Sequence, residues 1–261
     1  MSRRAIAFIV VLGLVVLGLP VTAAAAPTVT FKARAVPIPG FRGTGNILGA
    51  GAALQVQYTI AGTEYGGFPP PLIGVNFYTP AGTKLHPRGF ATCSPSALQN
   101  MGPRACPSRS RVTLSGTALG VVSFGQERVQ ERASIQAFFA PGGGLQFYTQ
   151  GSSPVSLEFL SPSHVVGSGR PYAQKFVTSV PLIETVPGAP DASALSISLK
   201  IGAAFRRGKK VTYYGRVPKR CPRGGFRLKS ELLFAGVGGL AAQTVTVAYK
   251  APCPRHHRRR R

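Results

Sequence analysis

The sequence is poor in several residue types that common functional classes need. It has no Trp, two Met and seven acidic residues, and Asp191 is its single Asp. Without Trp, the chain lacks the exposed indole on which carbohydrate-binding modules most often stack a sugar. With so few carboxylates, it has no acidic loop that could bind calcium. These absences disfavour a sugar-binding module and a calcium-binding protein.

Motifs for catalysis, metal binding and cofactor binding are missing as well. The chain has no G-x-S-x-G element, which places the nucleophilic serine of many hydrolases on a sharp turn. It has no C-x-x-C pair, and its histidines lack the spacing of zinc ligands. The sequence therefore predicts no catalytic residue, no metal site and no cofactor.

Residues 1–25 have the three parts of a cleaved secretory signal peptide. Two arginines near the start precede an apolar run at 5–19 and small residues at 23–26. The apolar run is shorter than the roughly 20 residues that a membrane span requires. We predict cleavage after Ala24 or Ala25 and export of the remaining chain, in which no later stretch is apolar enough to span a membrane.

Four cysteines fit an exported chain, because disulfides persist outside the cytoplasm. Of the three possible pairings, we predict Cys93–Cys106 and Cys221–Cys253, since each pair is close in sequence and brackets a turn-rich segment. The first pair encloses a predicted helical turn with Ser94 as its N-cap and Pro95 at its first position. Each disulfide should stabilise the fold by roughly 3 kcal/mol.

Apolar and polar residues alternate along most of the mature chain, which is typical of half-buried strands. Glycines 142–144 lie between two apolar pairs and predict a β-hairpin. No segment after the signal peptide sustains a helical period. We predict an all-β, antiparallel fold, either a sandwich or barrel-like. The alternating runs lie at 29–35, 54–60, 155–159, 176–182, 195–201, 226–234 and 245–249.

Residues 26–254 are interpreted as one β domain. The alternative is two lobes that meet near 161–171, a polar segment rich in turn residues. Residues 255–261 contain five Arg and two His, and repulsion between like charges predicts a disordered basic tail.

Six phrases of the mature chain, together with the export signal, resemble a group of secreted actinobacterial proteins of unknown function. The resemblance runs over most of the mature chain and implies export and a bacterial envelope setting. It carries no functional residues, because that group has no assigned activity. The phrases are TGNILGAG (44–51), TEYGGFPPPL (63–72), KLHPRGFATCS (84–94), FFAPGGGLQFY (138–148), VPGAPDAS (186–193) and VPKRCPRGGF (217–226).

The charge of the chain is strongly positive. It has 31 Lys and Arg against 7 Asp and Glu, a net charge of +24, and residues 26–254 alone keep +17. Such a field attracts polyanions, among them nucleic acids, anionic envelope polymers, acidic glycans and phosphate lipids. Codon bias also produces an Arg-rich composition, so the charge predicts contact with polyanions without showing that this contact is the biological purpose.

The densest basic cluster extends from residue 206 to residue 229 and includes Tyr213 and Tyr214. Residues 206–210 predict a charged hairpin tip, with the turn at Cys221 beside it. Basic side chains interleaved with tyrosine suit phosphate or nucleic-acid contact. The alternative is protection of exposed strand edges by charge. The predicted polyanion-binding residues are Arg206, Arg207, Lys209, Lys210, Arg216, Lys219, Arg220 and Arg223.

Carboxylates and histidines offer weaker candidates for catalysis. A secreted hydrolase with an unrecognised site would have that site near Glu64 or near His86. Glu127 and Glu131 lie four residues apart and share one face of a predicted strand. We interpret this second pair as solvated charges on a strand surface.

A Pro-rich loop at 68–71 suggests a third function. Consecutive prolines favour an extended, exposed backbone, so this loop, with Tyr65 and Phe68, could form the contact surface of a recognition module. The interpretation we favour is a stiff connector that packs its aromatic residues inward. The function expected first is a secreted or envelope-associated, non-enzymatic β protein that contacts anionic polymers and is held at the cell surface by those contacts.

Overall fold

The computed structural model describes residues 26–124, 127–186, 189–190, 192–236, 239 and 241–254. The predicted signal peptide and the basic tail 255–261 lie outside the described residues. Within the part of the chain that is described, no helix is both long enough and apolar enough to cross a membrane.

The described residues form seventeen strands, one short α-helix, α1 (Pro95–Met101), and two 3₁₀ turns at Pro103–Ala105 and Ser108–Ser110. The strands are β1 (Thr28–Val36), β2 (Ala53–Ala61), β3 (Leu72–Pro80), β4 (Lys84–Leu85), β5 (Thr113–Phe124), β6 (Glu127–Phe139), β7 (Leu145–Gly151), β8 (Leu157–Gly167), β9 (Tyr172–Ser179), β10 (Glu184–Val186), β11 (Ala189–Pro190), β12 (Ala192–Ile201), β13 (Ala204–Arg207), β14 (Lys210–Tyr213), β15 (Gly215–Arg216), β16 (Phe226–Phe234) and β17 (Gln243–Ala251).

Eleven strands form one antiparallel sheet in the order β1-β2-β12-β5-β6-β7-β8-β9-β3-β16-β17. The sheet curls until its two edge strands meet, with the ring centroids of Phe31 on β1 and Tyr249 on β17 only 6.2 Å apart. No hydrogen-bonded ladder joins these two strands, both of which are described along their whole length. The prediction of an all-β antiparallel fold is confirmed, and the sheet is a nearly closed barrel with a seam between β1 and β17.

The alternation seen in the sequence decides which face of the sheet lines the barrel. On β12, Ile197 lies opposite Tyr58 of β2 and Ala118 of β5, and all three belong to the main hydrophobic core. The intervening positions carry polar residues, such as Gln55 and Gln57 of β2. The interior is therefore largely apolar and the outer surface largely polar.

The direction of the strands sorts the connecting segments into two groups, because neighbouring strands are antiparallel. Thr28 and Ala61 lie opposite each other at one end of the barrel, and Val36 and Ala53 at the other. Following the register from strand to strand assigns every connection to one end. Among the described residues, the first end has segments 62–71, 152–156, 180–186, 189–190, 235–236, 239 and 241–242, and the second has 37–52, 81–112, 140–144, 168–171 and 202–225.

Helix α1 covers part of the outer surface. Ser94 caps it by accepting a hydrogen bond from the Ala97 amide at 3.2 Å, with Pro95 at the first helical position, as predicted. Its Leu98 packs with Phe138 of β6 and Tyr148 of β7 in a second, smaller core. These two strands form the predicted hairpin.

Both predicted disulfides are confirmed. Cys93–Cys106 fastens the segment that contains α1, and Cys221–Cys253 joins the segment before β16 to the chain after β17. The segment 161–171 is mostly strand β8, and strands from both sides of it belong to the same sheet.

Candidate polyanion-binding site

Charge is divided sharply between the two ends of the barrel. The second group of connections, which we call the basic end, contains fifteen Lys and Arg and no Asp or Glu. One of these cations lies in 37–52, five in 81–112, one in 168–171 and eight in 202–225. The described residues of the first group, the acidic end, contain no Lys or Arg and include Glu64 and Glu184.

The strand residues nearest the acidic end include two carboxylates and one cation, Arg128, which stacks on Tyr65 of segment 62–71. Glu127 begins β6 and Glu158 is the second residue of β8, so both carboxylates lie next to the acidic end. A strand of nine residues extends about 30 Å, or a little over 20 Å along a tilted barrel axis. That distance exceeds the Debye length of about 8 Å at physiological ionic strength, so carboxylates at one end scarcely reduce the potential at the other.

The hairpin formed by β13 and β14 carries four exposed cations at its tip. Arg207 pairs with Lys210 across a turn that contains Gly208, whose φ of 57° suits glycine. Arg206 and Lys209 are exposed beside them. The charged hairpin tip expected from the sequence is therefore present.

Aromatic contacts hold this hairpin against the basic end. The Phe205 ring lies edge-on to Phe90, with centroids 4.9 Å apart, and the Arg109 guanidinium lies 5.8 Å from the Phe205 centroid. The Cys221 turn lies at the same end, but it is fastened to Cys253 beside β17. The hairpin therefore packs against Phe90. The sequence had predicted the Cys221 turn as its neighbour.

Of the other predicted binding residues, three have exposed side chains and one, Arg216, is held by contacts within the protein. Lys219, Arg220 and Arg223 are exposed around the Cys221 turn. Arg216 is half-buried: its guanidinium lies 4.9 Å from the Tyr213 ring centroid, and Nη1 donates to the Gly49 carbonyl at 3.3 Å. Arg216 thus fastens segment 37–52 to the basic end in addition to contributing charge.

Seven further cations at the basic end were not identified from the sequence, because they are scattered over three other segments. Their common location follows only from the parity of the strands between them. All seven are exposed: Arg42, Lys84, Arg88, Arg104, Arg109, Arg111 and Arg170. The last described residue, Pro254, follows β17 at this end, and the sequence beyond it adds five more arginines.

Lys229 belongs to the basic cluster 206–229 in the sequence, but in the structure it does not lie at the basic end. On the outside of the barrel, its Nζ lies 2.7 Å from Oε1 of Glu231. That hydrogen bond is the main cause of a raised Lys229 pKa. Burial opposes ionisation of Glu231, but hydrogen bonds from Lys229, Tyr78 and Asn76 outweigh it and lower the pKa of this carboxyl. The pair neutralises itself and adds nothing to the basic end.

The two residues suggested for hydrolysis lie at opposite ends of the barrel. His86 is exposed at the basic end, where its amide donates to the Tyr214 carbonyl at 2.7 Å. Glu64 lies in segment 62–71 at the acidic end. They cannot act on one substrate together. Among the described residues, no group of three or more His, Cys, Asp or Glu side chains is placed to hold a metal ion.

Segment 68–71 is a packed connector, the interpretation favoured from the sequence, and does not form an exposed contact surface. Pro69 and Pro70 are fully buried, and the Pro69 carbonyl accepts a hydrogen bond from Ser193 Oγ at 2.7 Å. The Arg128 guanidinium lies 4.6 Å from the Tyr65 ring centroid and 5.8 Å from that of Phe68. Segment 62–71 is a packed connection that closes part of the acidic end.

The solvated position expected for Glu131 is also wrong. Its side chain points into the barrel and is 2% exposed, whereas Glu127 is exposed. Oε1 accepts a hydrogen bond from the Ser153 amide at 3.2 Å and Oε2 from the Val155 amide at 3.1 Å. Gly151 makes room for this carboxylate, since a Cβ there would lie 2.5 Å from Oε1. The carboxylate is thus the hydrogen-bond acceptor for two backbone amides of the 152–156 turn, a role that water would otherwise fill.

Comparison of the chain with known protein families, curated proteins and solved structures finds no match.

Proposed function

We propose that this chain is a secreted or envelope-associated, non-enzymatic β protein that binds anionic polymers through the basic end of the barrel. The observation that carries the proposal is the separation of charge: fifteen cations and no carboxylate on the connections at one end. A surface of one sign attracts a polyanion and carries no carboxylate that would repel it.

The predicted export of the chain is consistent with two disulfides that leave no free cysteine among the described residues. Outside the cell, an envelope polymer with repeated phosphate or carboxylate groups presents many charges at once. Several cations on a rigid barrel end can engage such a polymer together, because the β13–β14 hairpin and the Cys221 turn are held in place by packing and by a disulfide.

The proposal is tested by fluorescence anisotropy with labelled long-chain inorganic polyphosphate and the mature protein, over a series of salt concentrations. We expect affinity to fall steeply as salt rises, because binding releases counterions from the polymer. A double variant, Arg206→Glu with Lys209→Glu, should bind at least tenfold more weakly at physiological salt.

The matched control is Lys32→Glu with Arg132→Glu. It changes the net charge by the same amount, but both residues are exposed on the outer wall of the barrel, away from the basic end. We expect it to bind within threefold of the parent. Equal losses in the two double variants would show that net charge alone attracts the polymer, and this would overturn the proposed site. Salt-independent binding, or none, would overturn the function.

A further inference from the structure

The interior of the barrel contains two cavities that the proposed function does not use. The larger has a volume of about 640 Å³ and lies toward the basic end, beside the seam between β1 and β17. The smaller has a volume of about 200 Å³ and lies toward the acidic end. Four side chains line both cavities and separate them: Leu54, Phe77, Phe176 and Ile201.

The incomplete filling of the interior shows in the exposure of its own side chains. Ile197, Leu199 and Ile201 of β12 point into the barrel, yet all three are only half-buried. Protein interiors are normally packed as densely as organic crystals, with few voids larger than a water molecule. A cavity of 640 Å³ falls in the range of ligand sites, about 300–1,000 Å³, and large barrels are a common place for such sites.

The lining of the larger cavity combines an apolar body with cationic residues. Most of its wall consists of Ala, Val, Leu, Ile, Phe and Tyr side chains, including Phe226, Leu228 and Tyr249. Of the two charged residues among its lining, Arg216 is half-buried, whereas Arg34 is exposed and its Nε donates to Gln55 Oε1 at 3.0 Å on the outer surface; no carboxylate lines the cavity. An apolar chain that enters this space would therefore have its polar end close to positive charge.

We propose that the larger cavity binds an anionic amphiphile with a single hydrocarbon chain, its carboxylate or phosphate head near Arg216 at the basic end. The hydrocarbon chain of the ligand lies against Phe77, Phe226 and Leu228. It points toward the side chains that separate the larger cavity from the smaller one. This orientation is the favourable one, because the buried carboxylate of Glu131 lines the smaller cavity at the other end and would repel an anionic head.

This site goes beyond the proposed function and depends on different side chains. Polymer binding depends on exposed cations such as Arg206 and Lys209, whereas amphiphile binding depends on the volume inside the barrel. Each can fail while the other holds.

The test uses isothermal titration calorimetry of the mature protein with laurate, below its micelle concentration. We expect saturable binding near one equivalent. Dodecyl phosphate should bind comparably if either anionic head is accepted. Dodecyltrimethylammonium should bind at least tenfold more weakly, and so should hexanoate, which has the same head as laurate and half the chain.

A cavity-filling variant locates the ligand. Ala35→Phe adds a ring at a half-buried position that lines the larger cavity and should reduce laurate affinity at least tenfold. The matched control, Ala248→Phe, adds the same ring on the outside of β17 and should leave affinity within twofold. Circular dichroism and Tm verify that both variants are folded.

Two results would overturn the proposal without any variant: no saturable laurate binding, or equal binding of laurate and dodecyltrimethylammonium. Unchanged affinity in a folded Ala35→Phe protein would also overturn it. The Arg206→Glu, Lys209→Glu protein should keep laurate binding within threefold. If it loses laurate and polyphosphate together, laurate is binding to the outer basic surface and the cavity assignment is wrong.

Discussion

The Tyr58 hydroxyl lies 2.9 Å from Ser230 Oγ, although these residues belong to strands that are not neighbours in the sheet. Tyr58 is on β2 and Ser230 on β16, and β1, the seam and β17 lie between them. Ser230 Oγ also donates to the Asn76 carbonyl at 3.0 Å. A buried polar contact thus connects the two sides of the barrel where no backbone ladder does.

The first prediction concerns this contact. Tyr58→Phe removes the hydroxyl but keeps the ring stacked on Phe31, so it should lower the free energy of unfolding by about 1 kcal/mol. Urea denaturation of parent and variant measures the difference. Tyr249→Phe is the matched control, because its ring also packs on Phe31 while no hydrogen bond of its hydroxyl appears among the described residues. Equal losses in the two variants would argue against a role for the Tyr58–Ser230 contact.

Alkaline pH should destabilise the protein through its buried tyrosines. Burial, followed by the neighbouring Glu158 carboxylate, raises the pKa of Tyr148 to about 12, and burial also raises the pKa of Tyr58 and Tyr214. The unfolded chain ionises near pH 10, so stability from these neutral phenols is complete below pH 10 and is lost as pH rises above it. Each group contributes a slope of up to about 1.4 kcal/mol per pH unit.

Denaturation midpoints between pH 9 and pH 11.5 measure this loss. Because lysines titrate in the same range, the informative quantity is the difference between parent and Tyr148→Phe. The variant should show a shallower decline above pH 10. Parallel curves would contradict the assignment of a raised pKa to Tyr148.

The buried carboxylate of Glu131 should be important for stability. Glu131→Ala leaves the Ser153 and Val155 amides without their acceptor in an apolar interior, which should cost about 2–4 kcal/mol. Glu131→Gln keeps one acceptor oxygen and should cost about half as much. Glu127→Gln, on the same strand but exposed, should stay within about 0.5 kcal/mol of the parent. If denaturation shows that Glu127→Gln loses as much stability as Glu131→Ala, the structural role of the Glu131 carboxylate is refuted.

Loss of the Cys93–Cys106 disulfide should release α1 from the outside of the barrel. Replacing both cysteines with serine should lower stability by roughly 3 kcal/mol and expose Phe138 and Tyr148. Trypsin should then cut faster after Arg104, which lies between the two cysteines. The matched control replaces Cys221 and Cys253, and its cleavage after Arg104 should match that of the parent. Equal cleavage in both proteins would show that α1 does not depend on its own disulfide.

Local signals predicted β1, β2, β12, β16 and β17, the hairpin at 142–144 and both disulfides, whereas no alternating run was identified at β3 or β5. Alternation with period two defines a strand, and short spacing between cysteines favours their pairing. The cap at Ser94 depends on residues within one turn. None of these inferences needs the order of strands in the sheet.

The burial of Glu131 and the collection of cations at one end depend on that order. Alternation shows that Glu127 and Glu131 share a face of the strand. It does not show that the 152–156 turn covers the Glu131 side chain. Likewise, Arg42, Arg104 and Arg170 share an end only because of how many strands separate them. The short strands outside the main sheet interrupt any simple count along the sequence: β4, β10, β11, β13, β14 and β15.

The separation of charge along the barrel has a consequence for how the molecule approaches a surface. Cations at one end and carboxylates at the other give the protein a permanent electric dipole along its axis. Near any negatively charged surface, the electric field of that surface exerts a torque on this dipole. The torque turns the basic end toward the surface before contact is made. At such a surface the basic end would face inward and the acidic end would face the surrounding medium.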